Sequence, residues 1–334
     1  MCEQVRTTLR SPCPRALITI GSIALATAAC ASDDGALGES DVSGFLSDSK
    51  NDDGGPDDGV ESWGDGEYRG ILTFAFYPAD ALTGTDHIGI AGAWHTDEAL
   101  IEEVDDFYSV FALQTKYPLP PQDEDALEQN DIPAGFDWGD RDAWFQAGNA
   151  FKLASGDAEI SACILHVGAG LDPFPVYAST ESSDVDGCVP QIEDWVPGAD
   201  YDLVMYGGDL FPTQVLVGPV EAPSDFTIDD PDFESYNAEL MQGDALDIEW
   251  TGDGSSRDRM IIRVWDDMGR MFTINAIDDG EYEIPADALA VLEPGPMTIT
   301  VARERVERIP FPQGGVKTVT RYERRGYFDL IASG

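Results

Sequence analysis

Lysine is nearly missing from this 334-residue chain: Lys50, Lys116, Lys152 and Lys317 stand beside fifteen arginines and 64 acidic residues, for a formal net charge of −45. Such a field repels phosphate backbones and anionic headgroups over most of the surface, so nucleic acid is excluded as a partner. A surface rich in Asp and Glu and poor in Lys suits a salt-adapted protein, in which dense carboxylates stay hydrated and salt screens their mutual repulsion. Histidine is scarcer still, with His87, His95 and His166 the three present. Residues 223–334 have none, so that stretch cannot by itself supply a Ser-His-Asp triad or a histidine-ligated zinc. No HExxH, GxSxG or P-loop signature occurs.

Long apolar runs are missing too. The uncharged stretch Ala16–Ala29 spans fourteen residues and includes Thr19, Gly21, Ser22 and Thr27, whereas a bilayer-crossing helix needs about 20 apolar residues. Preceded by Arg6, Arg10 and Arg15, it has the layout of a signal peptide over residues 1–29. Its end, Leu25-Ala26-Thr27-Ala28-Ala29-Cys30, resembles the lipobox of bacterial lipoproteins. Thr27 departs from the family pattern, which usually has Leu there, and ordinary cleavage after Ala28 or Ala26 is the competing reading. The resemblance implies lipid attachment at Cys30, a membrane partner held through that lipid, and a cell-envelope location, as an outer-membrane lipoprotein facing the periplasm or the cell surface.

Residues 31–67 carry twelve acids, one lysine and eight glycines, a composition that cannot bury a core and reads as a disordered tether. Three Asp-Asp-Gly elements there lack the spacing of an EF-hand loop. Cysteine gives a consistent picture. With Cys2 and Cys13 lost in the leader and Cys30 acylated, Cys163 and Cys188 remain as a pair without CxxC spacing, expected to form a disulfide outside the cytoplasm.

From Tyr68 onward, short apolar runs alternate with Gly, Pro and Asp, the pattern of strands and turns. The expected class is all-β: two β-sandwich-like domains, over residues 68–222 and 223–334, follow the leader and the linker of residues 30–67. Two stretches resist a strand reading: Asp97–Asp106 suits a short acidic helix, and Tyr117–Phe136 a long loop. The pattern Gly243–Trp250, Met260–Val264 and Asp278–Leu289 resembles the C-terminal immunoglobulin-like sandwiches of uncharacterised envelope lipoproteins in myxobacteria-like lineages. That resemblance implies architecture alone, with Trp250 in the core.

Site chemistry is sparse. Asp137, Asp140 and Asp142 in FDWGDRD, and Asp184 and Asp186 before Gly187, could gather oxygens for calcium, with solvated turns as the bland alternative. His87 and His95 could share a zinc ion only if they cluster. Ten arginines fall between Arg257 and Arg325. Glu304, Glu307 and Glu323 interleave with Arg303, Arg305, Arg308, Arg321, Arg324 and Arg325, as expected for cross-strand pairs on a solvated face; a patch for an anionic glycan or envelope protein is the alternative. The functional expectation is a membrane-anchored, non-catalytic binding, adhesion or structural protein with no resident cofactor and no assigned catalytic residue. An extracytoplasmic polysaccharide hydrolase with its site in residues 68–222 is the competing class.

Overall fold

The computed structural model describes residues 68–96, 128–131, 146–167, 174–178, 189–207, 212–252, 257–311 and 313–332. The fold is all-β and sandwich-like. The strands are β1 (Tyr68–Tyr77), β2 (His87–Thr96), β3 (Glu128–Asp131), β4 (Gly148–Ser155), β5 (Ala158–Val167), β6 (Phe174–Ala178), β7 (Asp200–Gly207) and β8 (Gln214–Glu221). They continue as β9 (Ile228–Asp230), β10 (Tyr236–Met241), β11 (Leu246–Trp250), β12 (Arg259–Asp266), β13 (Arg270–Ala276), β14 (Glu281–Ile284), β15 (Gly295–Phe311) and β16 (Gly314–Ile331). The helical content described is a 3-10 turn at Ile192–Asp194 and one turn of helix, α1, at Ala286–Leu289.

Thirteen strands form one sheet in the order β3-β13-β12-β15-β16-β1-β2-β6-β5-β4-β7-β8, with β10 also on β16; β14-β11-β9 make a small second sheet. The axis of the large sheet is the β15–β16 hairpin, seventeen and eighteen residues long, paired from Gly295↔Leu330 to Phe311↔Gly314. At about 3.4 Å per residue that ladder runs on the order of 55 Å. The apolar pattern predicts strands at Met297–Val301 and Lys317–Leu330; the observed pair is longer because the charged residues 303–308 pair across the ladder instead of ending it.

The sheet crosses the expected boundary at residue 222. Strand β1 lies parallel to β16, Tyr68↔Gly314 through Phe76↔Tyr322, and β3 lies antiparallel to β13. Beyond β1 the sheet curls until the end of β8 meets the hairpin again: Thr320 Oγ1 donates to the Glu221 carbonyl at 2.7 Å, and the Glu221 N–H to Glu307 at 3.1 Å. A barrel-like part and a sandwich part thus share one hairpin.

One contiguous apolar cluster fills both parts, from Leu72, Phe74, Trp94, Phe151 and Leu203 to Ile248, Trp250, Ile262, Ile284 and Phe328. The alternation of β11, buried at Leu246, Ile248 and Trp250 and exposed between, is that of a strand with one wet face. Strand β12 is different, with seven of its eight residues buried, which places it inside the molecule on both faces. Trp250 is 3% exposed and occupies the core, as its sequence context implies.

Candidate functional site

The register fixes which charged side chains meet. Across β12, β15 and β16, Arg259, Glu304 and Arg321 form one row, Ile261, Ala302 and Glu323 the next, and Arg263, Thr300 and Arg325 the third. Directly paired residues share a face, so four arginines and two glutamates line one side of the sheet. Glu304 takes Arg259 Nη2 at 3.1 Å on Oε1 and Arg321 on Oε2. Glu323 takes Arg325 Nη2 at 3.0 Å and Arg263 Nη1 at 3.3 Å, with Arg321 Nη1 at 3.6 Å.

The cross-strand pairing agrees with the sequence reading; the environment does not. Arg263, Glu304, Arg321 and Glu323 are all at most 2% exposed, so the expected solvated face is buried. Alternation alone cannot reveal this, because a face of paired charges reads the same whether water or protein covers it. Burial works against ionising Glu304, yet Arg321 and Arg259 outweigh it and hold the carboxyl down to about 2. Arg325 is likewise kept charged against its burial by Glu323.

Arg303 points to the other face and joins the two sheets. Its Nε meets Asp278 Oδ2 at 2.7 Å, while Nη1 donates to Ser224 Oγ at 2.9 Å and Nη2 to the Thr251 carbonyl at 3.0 Å. Asp278 Oδ1 also accepts the Trp250 indole N–H at 2.9 Å. Phe226 lies under the guanidinium at 5.1 Å. At the β8 end, Arg305 bridges Asp258 and Glu221, and Arg257 bridges Glu221 and Glu307 at 2.8 Å each. Arg303, Arg305 and Arg321 are therefore committed to the frame, and Arg308 and Arg324 stay half-exposed.

His87 and His95 do not converge. His87 and His95 occupy one strand eight residues apart, roughly 26 Å at about 3.3 Å per residue, so they cannot ligate one ion. His87 stacks on Tyr77 with centroids 4.5 Å apart, and its pKa is lowered, first by burial and then by Arg325. His95 Nδ1 sits 2.9 Å from the Thr96 carbonyl. His166 pairs with Pro175 in the β5–β6 ladder. Among the described residues, no three His, Cys, Asp or Glu side chains gather as a metal site. Cys163 is buried in β5. Cys30, Cys188, Asp137, Asp140, Asp142, Asp184 and Asp186 lie outside the described residues, as do Asp97–Asp106 and the linker. Tyr117–Phe136, read as loop, contains β3.

Among the described residues no helix is long and apolar enough to cross a membrane. A notch interrupts one edge of β16, where a cavity of about 200 Å³ is lined by Pro78–Ala81, Phe233, Glu234, Arg324 and Arg325. Nothing local in the sequence signals it, since its walls lie up to 247 positions apart. No protein-family model and no curated protein matches the chain. Among solved structures it is similar to a tetra-tandem repeat from the extending region of a large adhesion protein, at 15% identity and a TM-score of 0.18. The match covers 78% of this chain and 49% of that one, so the chain spans about half its length, and a likeness so remote carries no argument about fold or role.

Proposed function

We propose that the chain is a lipid-anchored envelope protein whose folded part is a non-catalytic binding or structural module. The single observation behind the anchor is Cys30, placed directly after a fourteen-residue uncharged run and before an acidic, glycine-rich stretch to residue 67. The fold supports the second half of the reading: most of its clustered charge is spent inside the protein, tying β12, β15 and β16 into one stiff unit. A lipid on Cys30 and a tether of 37 residues, with a reach of about 30–35 Å, would hold that unit off a membrane.

Cys163 and Cys188 belong to the same proposal. Cys163 lies opposite Ala178, the last residue of β6, and Cys188 follows ten positions later in sequence. A bond between them would stabilise the fold by about 3–4 kcal/mol in the loop-entropy account.

Membrane fractionation and palmitate labelling of wild type and Cys30→Ser test the anchor. Label and membrane association should both vanish in the variant, and retention of either removes the lipid from this account. Thiol titration of the unfolded mature protein should find no reactive thiol before reduction and two after it; two free thiols from the outset would rule out the bond.

A further inference from the structure

Four exposed apolar side chains gather at one end of the sandwich part. Met241 and Ile331 close β10 and β16, where the parallel register sets them directly opposite each other, and they are 44% and 37% exposed. Val291, just after α1, is 40% exposed, and Met268, in the turn between β12 and β13, is 71% exposed. Hydrogen bonds draw these segments together. Gln242 Nε2 reaches to either side of Val291, donating to the Leu292 carbonyl at 2.9 Å and to the Ala290 carbonyl at 3.3 Å, while the Gln242 N–H donates to the Ile331 carbonyl at 2.9 Å. Arg270 Nη1 donates to the Val291 carbonyl at 2.9 Å. The buried Asp266 carboxylate accepts the Met268 N–H on Oδ1 and the Glu293 N–H on Oδ2, at 2.9 Å each.

Two features separate this end from apolar residues scattered singly over a surface. Asp266 and Gly269, whose φ is 86°, already close the β12–β13 turn, so Met268 fills no turn requirement and leaves most of its side chain in water. The surrounding charge is also of one sign. Glu239 and Asp329 form the row next to Met241 and Ile331 on the same face, and Asp244, Asp267 and Glu293 are exposed nearby. The neighbouring cation, Arg270, is engaged by Asp266 at 3.1 Å and by Glu293 at 2.6 Å. An apolar patch rimmed by carboxylates results.

We propose that this end of the sandwich docks a basic amphipathic segment of a partner protein, its apolar side chains covering Met241, Met268, Val291 and Ile331 and its Lys or Arg residues meeting the acidic rim. Unbranched methionine adapts to varied apolar partners, and complementary charge sets the sign of the flanking residues. A second copy is the wrong occupant, because it would bring acidic rim against acidic rim at a net charge of −45 each. The chain's own residues 31–67 fail for the same reason, with twelve acids and one lysine. Strand β16 runs from Gly314, opposite Tyr68, to Ile331, on the order of 55 Å, so the docking face lies far from the point where residues 31–67 join. The inference rests on the binding role proposed above and names its face and partner class.

Fluorescence anisotropy tests it, with a labelled synthetic peptide made of two repeats of Leu-Lys-Lys-Leu-Leu-Lys-Leu. The protein is the full mature chain carrying Cys30→Ser, so that no detergent competes for the peptide. At about 0.5 M KCl screening confines charge attraction to about 4 Å. The peptide should bind with a Kd on the order of 10 μM, and a counterpart with Ala in place of Leu at least about tenfold more weakly. Met268→Ser and Met241→Ser should each weaken the leucine peptide about fivefold at an unchanged urea midpoint. Ile277→Ser, exposed just beyond the opposite end of β13, should leave its affinity as it is. No binding, equal binding of the alanine peptide, or full affinity in both methionine variants overturns the docking face. A wild-type dimer that Met268→Ser dissociates in sedimentation overturns it in favour of a second copy, and phosphatidylcholine-vesicle binding lost in the same variant overturns it in favour of lipid. If the peptide fails to bind while Cys30-dependent membrane attachment persists, the docking face falls and the envelope role stands; peptide binding without such attachment keeps the face and removes the anchor.

Discussion

Glu304 has two guanidinium partners and almost no water. Taking its charge away leaves Arg259 and Arg321 buried around a neutral amide, so Glu304→Gln should destabilise the fold by about 3–5 kcal/mol, seen as a lower urea midpoint at unchanged m. The same residue sets an acid limit. Its folded carboxyl ionises at about 2, below the ordinary glutamate value, so the unfolded chain binds a proton that the folded chain refuses. That contribution, on the order of 3 kcal/mol, is complete above about pH 4.5 and is lost as pH falls toward 2. His87 acts in a higher window. Burial and Arg325 lower its pKa, so below about 6.5, the ordinary imidazole value, the unfolded state takes up the proton first and stability declines. His87→Phe preserves the stack on Tyr77 and should flatten the urea midpoint between pH 7.5 and 5.5; an unchanged slope would show that another group titrates there.

At the scale of elements, β15 connects layers through Arg303. Arg303→Met strands Asp278 as a buried carboxylate and should remove about 3–5 kcal/mol. Adding Asp278→Asn should return part of this, because the orphaned charge disappears while an amide oxygen can still accept from Trp250. A double-mutant cycle showing strict additivity would deny the coupling. Gly314, where β16 starts against β1, is a second such point. A Cβ there would overlap the backbone of Tyr68, so Gly314→Ala should loosen the parallel β1–β16 ladder, read as faster amide exchange in β1. Strand β10 shows why some elements escape sequence reading. Its Tyr236–Met241 pattern is mostly exposed, and Asn237 adopts a φ of 59°, bulging the strand between Tyr236 and Ala238. A one-sided, bulged strand presents neither apolar alternation nor a continuous run.

For the molecule as a whole, a charge of −45 leaves the folded state repelling itself, and added salt should raise its melting temperature. Titrating KCl against an osmolality-matched sucrose series separates screening from solvent exclusion; equal gains in both would show that charge is not the cause. Much of the strand pattern was legible. The apolar pattern predicts strands at Gly70–Tyr77, His87–Trp94, Ala245–Trp250, Met260–Asp266 and Met271–Ala276, and β1, β2, β11, β12 and β13 lie within two residues of those limits, because each is rich in β-branched or aromatic residues and bounded by Gly, Pro or Asp. The all-β class and the pairing of Arg with Glu across strands follow from local composition and spacing.

The joining of β1 to β16, the burial of the Arg–Glu rows and the gap between β1 and β10 depend on residues hundreds of positions apart meeting in space. Periodicity states which side of a strand is polar. Only the assembled sheet decides what covers that side, and therefore whether a charge faces water or another charge.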